Sequence, residues 1–308
     1  MNKIWLTGDA VVDLIPDGEN SYLKCPGGAP ANVAVAVSRL GGDSAIFGRV
    51  GQDPLGRFMK KTLNKEGVNT DFMLLDEAQR TSTVVVDLDE NGERSFTFMV
   101  KPSADQFMQP SDIPAFKAKQ WLHVCSIALA NEPSRSSTFQ AIQKMKQAGG
   151  FVCFDPNLRD EVWADPSEIK PIVLKAIAMA DVIKFSDDEL LFLTDTETLE
   201  AGLEAIAPLN NHIQIITQGA KGALLITQGE QQMITGKAVQ PIDTTGAGDA
   251  FVGGLITYLA SCNHWTEIAN IRKAIQWANC CGALATTQKG AMTALPTKNE
   301  LFAYLDSL

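Results

Sequence analysis

The chain has 308 residues, 45% hydrophobic and 20% charged, which is enough for a large core with room for a small second unit. Its 26 Lys and Arg stand against 36 Asp and Glu, and a formal net charge of −10 supplies no field to draw in DNA, RNA or an anionic membrane surface. No apolar run approaches the ~20 residues of a membrane span, and the opening MNKIWLTGDAVVDLIP lacks a basic stretch ahead of a long apolar one, so a cytoplasmic protein is expected, with neither nucleic acid nor membrane as partner.

From the N-terminus, KIWLTG, SAIFGRVG, WLHVCSIAL, GFVCFDPN, DVIKFS, IQIITQG and ALLIT read as short buried strands, β-branched-rich and bounded by Gly, Pro, Asp or Asn. Helical segments alternate with them: ANVAVAVSRLGG, PLGRFMKKTLNKEG, RSSTFQAIQKMKQAGG, IKPIVLKAIAMA, then FVGGLITYLASC and IRKAIQWANCCGALAT. This alternation predicts an α/β fold: a mostly parallel central sheet flanked by helices on both faces. One stretch breaks the rhythm. Residues 81–100 hold two β-rich runs around Asp89-Glu90-Asn91-Gly92, a hairpin signal, and NSYLKCPGG offers a further strand. These predict a small β-sheet lid, formed by about 12–26 and 81–102, on a single domain spanning 1–308. Exposed apolar lid surface predicts a homodimer through that sheet.

The six cysteines contain no C-x-x-C pair, and His123, His212 and His264 are scattered, so the spacing of a metal site is absent. Cys280 and Cys281 lie in a helical pattern and read as packing residues.

Polar clusters fall where strands end, which is where parallel α/β sheets bind ligands. Gly8-Asp9 and Asp13 follow the first strand, Gly27 to Asn32 opens a helix, Asp155 to Arg159 follows a middle strand, and DTTGAGDAF (243–251) starts a late helix. In the last of these the small residues Gly246, Ala247 and Gly248 bare backbone N–H groups to an anion, with Asp249 beside them. Asp249 reads either as a base for a hydroxyl or as a cap of its own helix, and spacing alone leaves both open. Neither a G-x-x-x-x-G-K-[ST] loop nor an intact G-x-G-x-x-G fingerprint is present.

DTTGAGDAF (243–251), PGGAPANVA (26–34), GDAVVD (8–13), DPNLR (155–159), TQGAKGALL (217–225) and QKGAMTALP (288–296) together resemble the ribokinase-like (PfkB) carbohydrate kinases, in order and spacing, over nearly the whole chain. The resemblance implies phosphoryl transfer from ATP to a sugar hydroxyl. Asp249 matches the catalytic base and Gly246, Ala247 and Gly248 the anion hole. Asp13, Gly28 and Asn32 match sugar-hydroxyl positions, with Asp9 nearby. Thr217, Gly219 and Gly222 match the loop lining the ATP site, Asn279 lies on the helix walling its adenine side, and Lys184 joins this nucleotide-binding set. Asp243, Thr245, Ala285 and Gly290 fall where related kinases bind a monovalent cation, usually K⁺; Ala294 stands where some relatives offer a hydroxyl. Ser186-Asp187-Asp188-Glu189 resembles an N-x-x-E motif with Ser for Asn, which keeps Glu189 for Mg²⁺-bound water. Asp187 and Asp188 read as an acidic first turn. Arg94, Phe96 and Phe98 alternate on the second lid strand, where they face either the ligand or a partner lid, and Arg159 can donate to sugar or phosphate. Within the family, GDAVVDLIP, CPGGAPANVA and DPNLR look closest to bacterial fructokinases, which implies fructose as substrate, with aminoimidazole riboside as the rival. A sugar-binding regulator without catalysis is the reading from another class.

Overall fold

Runs that are apolar on both faces need covers on both faces, and the helices between them supply these. The computed structural model describes residues 1–88, 94–209, 212–236 and 238–307, without the side chains of Leu88, Arg94 and Phe96. Its strands are β1 (Ile4–Thr7), β2 (Val11–Pro16), β3 (Tyr22–Gly27), β4 (Ser44–Gly51), β5 (Asn69–Asp76), β6 (Thr83–Leu88), β7 (Arg94–Phe98), β8 (Trp121–Cys125), β9 (Phe151–Asp155), β10 (Val182–Ser186), β11 (Ile213–Thr217), β12 (Ala223–Thr227) and β13 (Glu230–Ile234). Its α-helices are α1 (Ala29–Arg39), α2 (Pro54–Lys65), α3 (Ser134–Gln147), α4 (Ile169–Ile177), α5 (Asp187–Thr194), α6 (Leu199–Ile206), α7 (Ala247–Ser261), α8 (Ile268–Ala285) and α9 (Lys298–Leu305).

Nine strands form one sheet in the order β13-β12-β11-β10-β9-β8-β1-β4-β5. It is parallel from β5 to β11, and only β12 and β13 run antiparallel at one edge. Every residue of β1 and β8 is buried, as central strands require. On one face α1, α7 and α8 enclose a core that includes Ile4, Val35, Leu255 and Ile275, and α2 and α9 add Met59 and Leu301. On the other, α3, α4 and α6 contribute Ile142, Val173 and Leu203 against Val124 and Phe154. The expected α/β architecture is therefore present.

Four elements lie outside the expected set, each for a local reason. β5 is a half-exposed edge strand carrying Asp71, so its apolar signal is diluted. β13 is the polar run EQQMI, made a strand by a hairpin from β12 in which both turn residues, Gln228 (φ 51°) and Gly229 (φ 80°), take positive φ. The short helices α6 and α9 begin at the caps Thr198 and Thr297, the latter in a reciprocal capping box with Glu300. Conversely, WLHVCSIAL is a strand only to Cys125, and Ser126–Leu129 turns into a 3₁₀ helix.

A second, four-stranded sheet has the order β3-β2-β6-β7, antiparallel within each hairpin and parallel between β2 and β6. The expected turn at Asp89–Gly92 lies outside the described residues. Asp53 fixes this sheet to the main one. Its carboxylate caps α2 through the N–H groups of Leu55 and Gly56, and also accepts from Thr81 N and Oγ1, each at 2.8 Å, just ahead of β6. Burial opposes this charge, yet the hydrogen bonds win and hold its carboxyl below the usual range. All six cysteines are free, and four are buried. Among the described residues no helix is long and apolar enough to cross a membrane.

Candidate active site

The site is built where parallel strands end. β1 leads to Asp9, β9 ends in Asp155, β10 leads to Glu189, β11 ends in Thr217, and the first turn of α7 faces them with Asp249. Gly246 caps α7 in the left-handed region, φ 79°, and a Cβ there would lie 2.9 Å from the Ala291 backbone, so glycine is demanded by both torsion and space. The N–H of Ala247 already donates to Thr244 O at 3.2 Å, whereas the N–H groups of Gly248 and Asp249 fall in the first turn, where a helix offers them no acceptor. Of the two, the N–H of Gly248 is the one the backbone leaves open to an anion, and that of Ala247 is occupied.

Asp249 is 7% exposed, and Asn32 Nδ2 donates to its Oδ2 at 2.8 Å. Burial raises its carboxyl to about 6, against the Asn32 hydrogen bond and the nearby Lys184 and Arg159 cations, which lower it. The contact depends on how closely α1 and α7 approach. One turn beyond it, a Cβ at Gly253 would lie 2.3 Å from Ala36 Cβ, so the bare glycine lets the helices meet. Gly28 (φ 95°) opens α1 with its backbone against Asp9, and Gly27 leaves room for the Asp13 carboxylate, which β2 carries from the second sheet.

Two cavities lie in this region, one lined by Asp9 and the other by Ala247 and Gly248, which precede Asp249 in the chain. One, of about 390 Å³, is lined by Asp9, Asp105, Gln106, Asn131 and, from the second sheet, Phe98. Asp9 is buried; burial first, then Asp105 and Asp249, raise its carboxyl to about 7. The other cavity, of about 330 Å³, is lined by Thr217, Gly219, Gly222, Ala247, Gly248 and Asn279. Gly222 also has a purely structural demand, since a Cβ would lie 2.3 Å from Ile234 O. Asn279 donates Nδ2 to Ile234 O at 2.8 Å.

Lys184 lies behind the hole. The β9–β10 register sets it beside Asp155, with 3.2 Å from Nζ to each carboxylate oxygen, and Nζ is 3.6 Å from where a Gly248 Cβ would stand. Burial alone lowers this ammonium, but Asp155, Glu189 and Asp249 outweigh it and keep it protonated. Glu189 accepts Leu158 N (3.0 Å) and Ser186 N (2.8 Å), in a capping box with Ser186. Arg159 is exposed and donates to Leu158 O at 2.6 Å. The side chains of Arg94 and Phe96 lie outside the described residues.

Of the residues assigned to a monovalent cation, Asp243, Thr245 and Gly290 are joined by hydrogen bonds, and Ala285 enters only through its neighbour Thr286. Asp243 Oδ1 accepts Thr245 N and Oγ1, its Oδ2 accepts Gly290 N at 2.8 Å, and the residue after Ala285, Thr286, accepts the N–H groups of Ile242 and Asp243 through its carbonyl. Among the described residues no three His, Cys, Asp or Glu side chains cluster closely enough to hold a metal ion.

Residues 1–298 match the family described as pfkB family carbohydrate kinase. The chain belongs to the pfkB family of carbohydrate kinases. It is 65% identical over 305 residues to a fructokinase of Vibrio alginolyticus, covering 99% of each chain, and 43% identical over 307 residues to an aminoimidazole riboside kinase of Salmonella typhimurium, covering 100% of this chain and 96% of that one. Its structure superposes with a TM-score of 0.95 on the crystal structure of fructokinase from Vibrio cholerae O395 in fructose, ADP and calcium ion bound form, at 64% identity with 99% of each chain covered.

In this pfkB kinase, sequence reasoning misses Asp105, Gln106 and Asn131, which line the cavity beside Asp9. Asp105 and Gln106 sit in a single 3₁₀ turn, Ala104–Phe107, and Asn131 in a bend, and no spacing signal points to any of them. Asp155 is visible as a strand-end cluster, but its pairing with Lys184 exists only across two neighbouring strands.

Proposed function

We propose that the protein is a fructokinase, transferring the γ-phosphoryl group of ATP to fructose, at its terminal O6 hydroxyl. One observation carries the reading: Asp249, a buried carboxylate raised to about 6 and held by Asn32, directly follows Gly248, which lines the second cavity from the first turn of α7. A base poised near operating pH is what deprotonation of a weak alcohol acid needs. The fructose hydroxyl oxygen forms the new bond to phosphorus as its proton passes to Asp249, and the bond from phosphorus to the ADP oxygen breaks. Gly248, with Gly246 and the Lys184 ammonium behind it, offsets the negative charge on the moving phosphoryl group.

The 390 Å³ cavity takes the sugar. Asp9 Oδ1 and Asn32 Oδ1 are buried without a partner among the described residues, and both are acceptors of the kind sugar hydroxyls fill. Asp13, Gly28 and Arg159 are the further sugar contacts of this reading, while the side chains of Arg94 and Phe96, assigned to the same role, lie outside the described residues. Thr217, Gly219, Gly222 and Asn279 hold the nucleotide in the second cavity. Glu189, whose oxygens each keep a lone pair, would order the water of a nucleotide-bound Mg²⁺, and that ion would supply neutralisation of phosphate charge. Asp243, Thr245, Ala285 and Gly290 would hold a monovalent cation such as K⁺ through carboxylate and backbone oxygens. The four-stranded sheet acts as a lid over the sugar and as the surface of a homodimer, in a cytoplasmic enzyme.

The test is ADP release with Mg-ATP and K⁺ across fructose, ribose, 2-keto-3-deoxygluconate, adenosine and aminoimidazole riboside. Preference for fructose, with Asp249→Asn lowering kcat by about 100-fold or more, is the expected result. Preference for the riboside overturns the substrate but not the chemistry, and loss of less than about tenfold in the variant overturns the base.

A further inference from the structure

One part of the sugar cavity is lined by Asp9, Ser103, Asp105, Gln106 and Asn131. Asp105 is 6% exposed, and its carboxylate accepts Ser103 Oγ on Oδ1 and Gln106 Nε2 on Oδ2. The remaining amide hydrogens of this group are spent in the same chain. Gln106 Nε2 also donates to Ile127 O at 3.2 Å, and Asn131 Nδ2 donates to Gln106 Oε1 at 3.3 Å and to Val162 O at 3.0 Å. With one hydroxyl and both amides committed, what these side chains offer a ligand is lone pairs, and each Asp105 oxygen keeps one beyond the bond it already accepts. Asp9 stands beside them: its Oδ1 is buried with no partner among the described residues, and Asp105 acts on its carboxyl more strongly than Asp249 does. Lys101, the one cation among the described lining residues, lies with Nζ 5.5 Å from the Phe98 ring centroid, and Glu132 and Glu161 add two further carboxylates.

A ligand group that meets the Asp9 and Asp105 carboxylates must itself donate. A hydroxyl or an ammonium does so. A carboxylate or an ionised phosphate brings acceptors against acceptors and a like charge besides, which lowers affinity by about 100-fold or more. We propose that Asp105 is a specificity-determining residue for the acceptor: its carboxylate takes the C1 hydroxyl, at the end of the fructose skeleton opposite the phosphorylated one, and turns away sugars that are anionic there. The phosphoryl transfer at Asp249 does not pass through Asp105, so its effect falls on binding. This inference rests on reading the cavity as the fructose site.

The test keeps the fructose skeleton and changes only the charge at C1. Fructose, 2-ketogluconate with a carboxylate there, and 1-amino-1-deoxyfructose with an ammonium are titrated calorimetrically into the full chain at a pH of about 7.5, where carboxylates paired with donors are ionised. The ammonium sugar is expected to bind at least as tightly as fructose, and 2-ketogluconate about 100-fold or more weakly. Asp105→Asn is expected to raise the KM for fructose by about tenfold or more, with kcat within about threefold, and to narrow the gap between fructose and 2-ketogluconate to less than about tenfold. A merely structural role for Asp105 would weaken all three ligands alike and leave that gap as it was. In the parent chain, 2-ketogluconate binding within about tenfold of fructose overturns the proposal whether or not the variant folds, and so does an unchanged gap in a folded variant. If a neutral sugar other than fructose is the acceptor, the fructokinase reading alone falls, because the same charge comparison on that sugar still decides Asp105; binding of 2-ketogluconate in preference to every neutral sugar overturns both.

Discussion

Asp9 and Asp249 are both buried carboxyls, yet they differ in what satisfies them. Asp249 has the Asn32 amide on one oxygen, whereas Oδ1 of Asp9 meets no donor among the described residues and Asp105 stands close by. With its folded-state pKa raised to about 7 from 3.8, Asp9 contributes stability that is present below the unfolded value and lost as pH rises through 7. A shift of this size is worth up to about 4 kcal/mol. Asp9→Asn has no such titration. Thermal denaturation at pH 4 and pH 8 is therefore expected to show a flatter decline for the variant than for the parent; parallel curves would mean that Asp9 ionises freely in the folded protein. The PfkB motif GDAVVD already marks the position, but its unsatisfied burial is a property of the fold.

At the scale of elements, α1 and α7 form the frame that aims Asn32 at Asp249. Both helices step one turn from the functional pair to a packing pair, Asn32 to Ala36 and Asp249 to Gly253, as residues four apart on one face do. A methyl at Gly253 would sit 2.3 Å from Ala36 Cβ and must drive the helices apart. Gly253→Ala is expected to lower kcat by about tenfold or more through a lengthened Asn32–Asp249 bond, and overpacking to cost about 1–3 kcal/mol. Adding Ala36→Gly should restore both in kinetics and melting measurements. If the double variant stays as slow as the single one, the helix spacing is not what positions the base.

For the whole molecule, the nine-stranded sheet brings Asp155 and Thr217 to its strand ends, and the four-stranded one stands beside it, joined through Asp53 and Thr81. Its outer strand β3 leaves Tyr22 56% and Leu23 55% exposed on a sheet edge, which soluble proteins seldom leave uncovered. Sedimentation at micromolar concentration is expected to show a dimer that Tyr22→Glu with Leu23→Glu dissociates. A parent chain that sediments as a monomer removes the lid from the dimer reading.

Local sequence determined most of the fold, because apolar runs, helix periods and glycine turns act over a few residues: β1, β8 to β12 and the long helices follow from them. It also marked the residues whose chemistry is intrinsic, Asp249 after three small residues and Asp13, Gly28 and Asn32 in their motifs. Only the tertiary structure decided what depends on neighbours distant in the chain. The register of β9 against β10 pairs Asp155 with Lys184, the Gly253–Ala36 contact brings Asn32 onto Asp249 across 217 positions, and a polar run becomes β13 because β12 lies beside it. Burial and pairing are set by the whole sheet, and so the raised carboxyls of Asp9 and Asp249 were not legible one residue at a time.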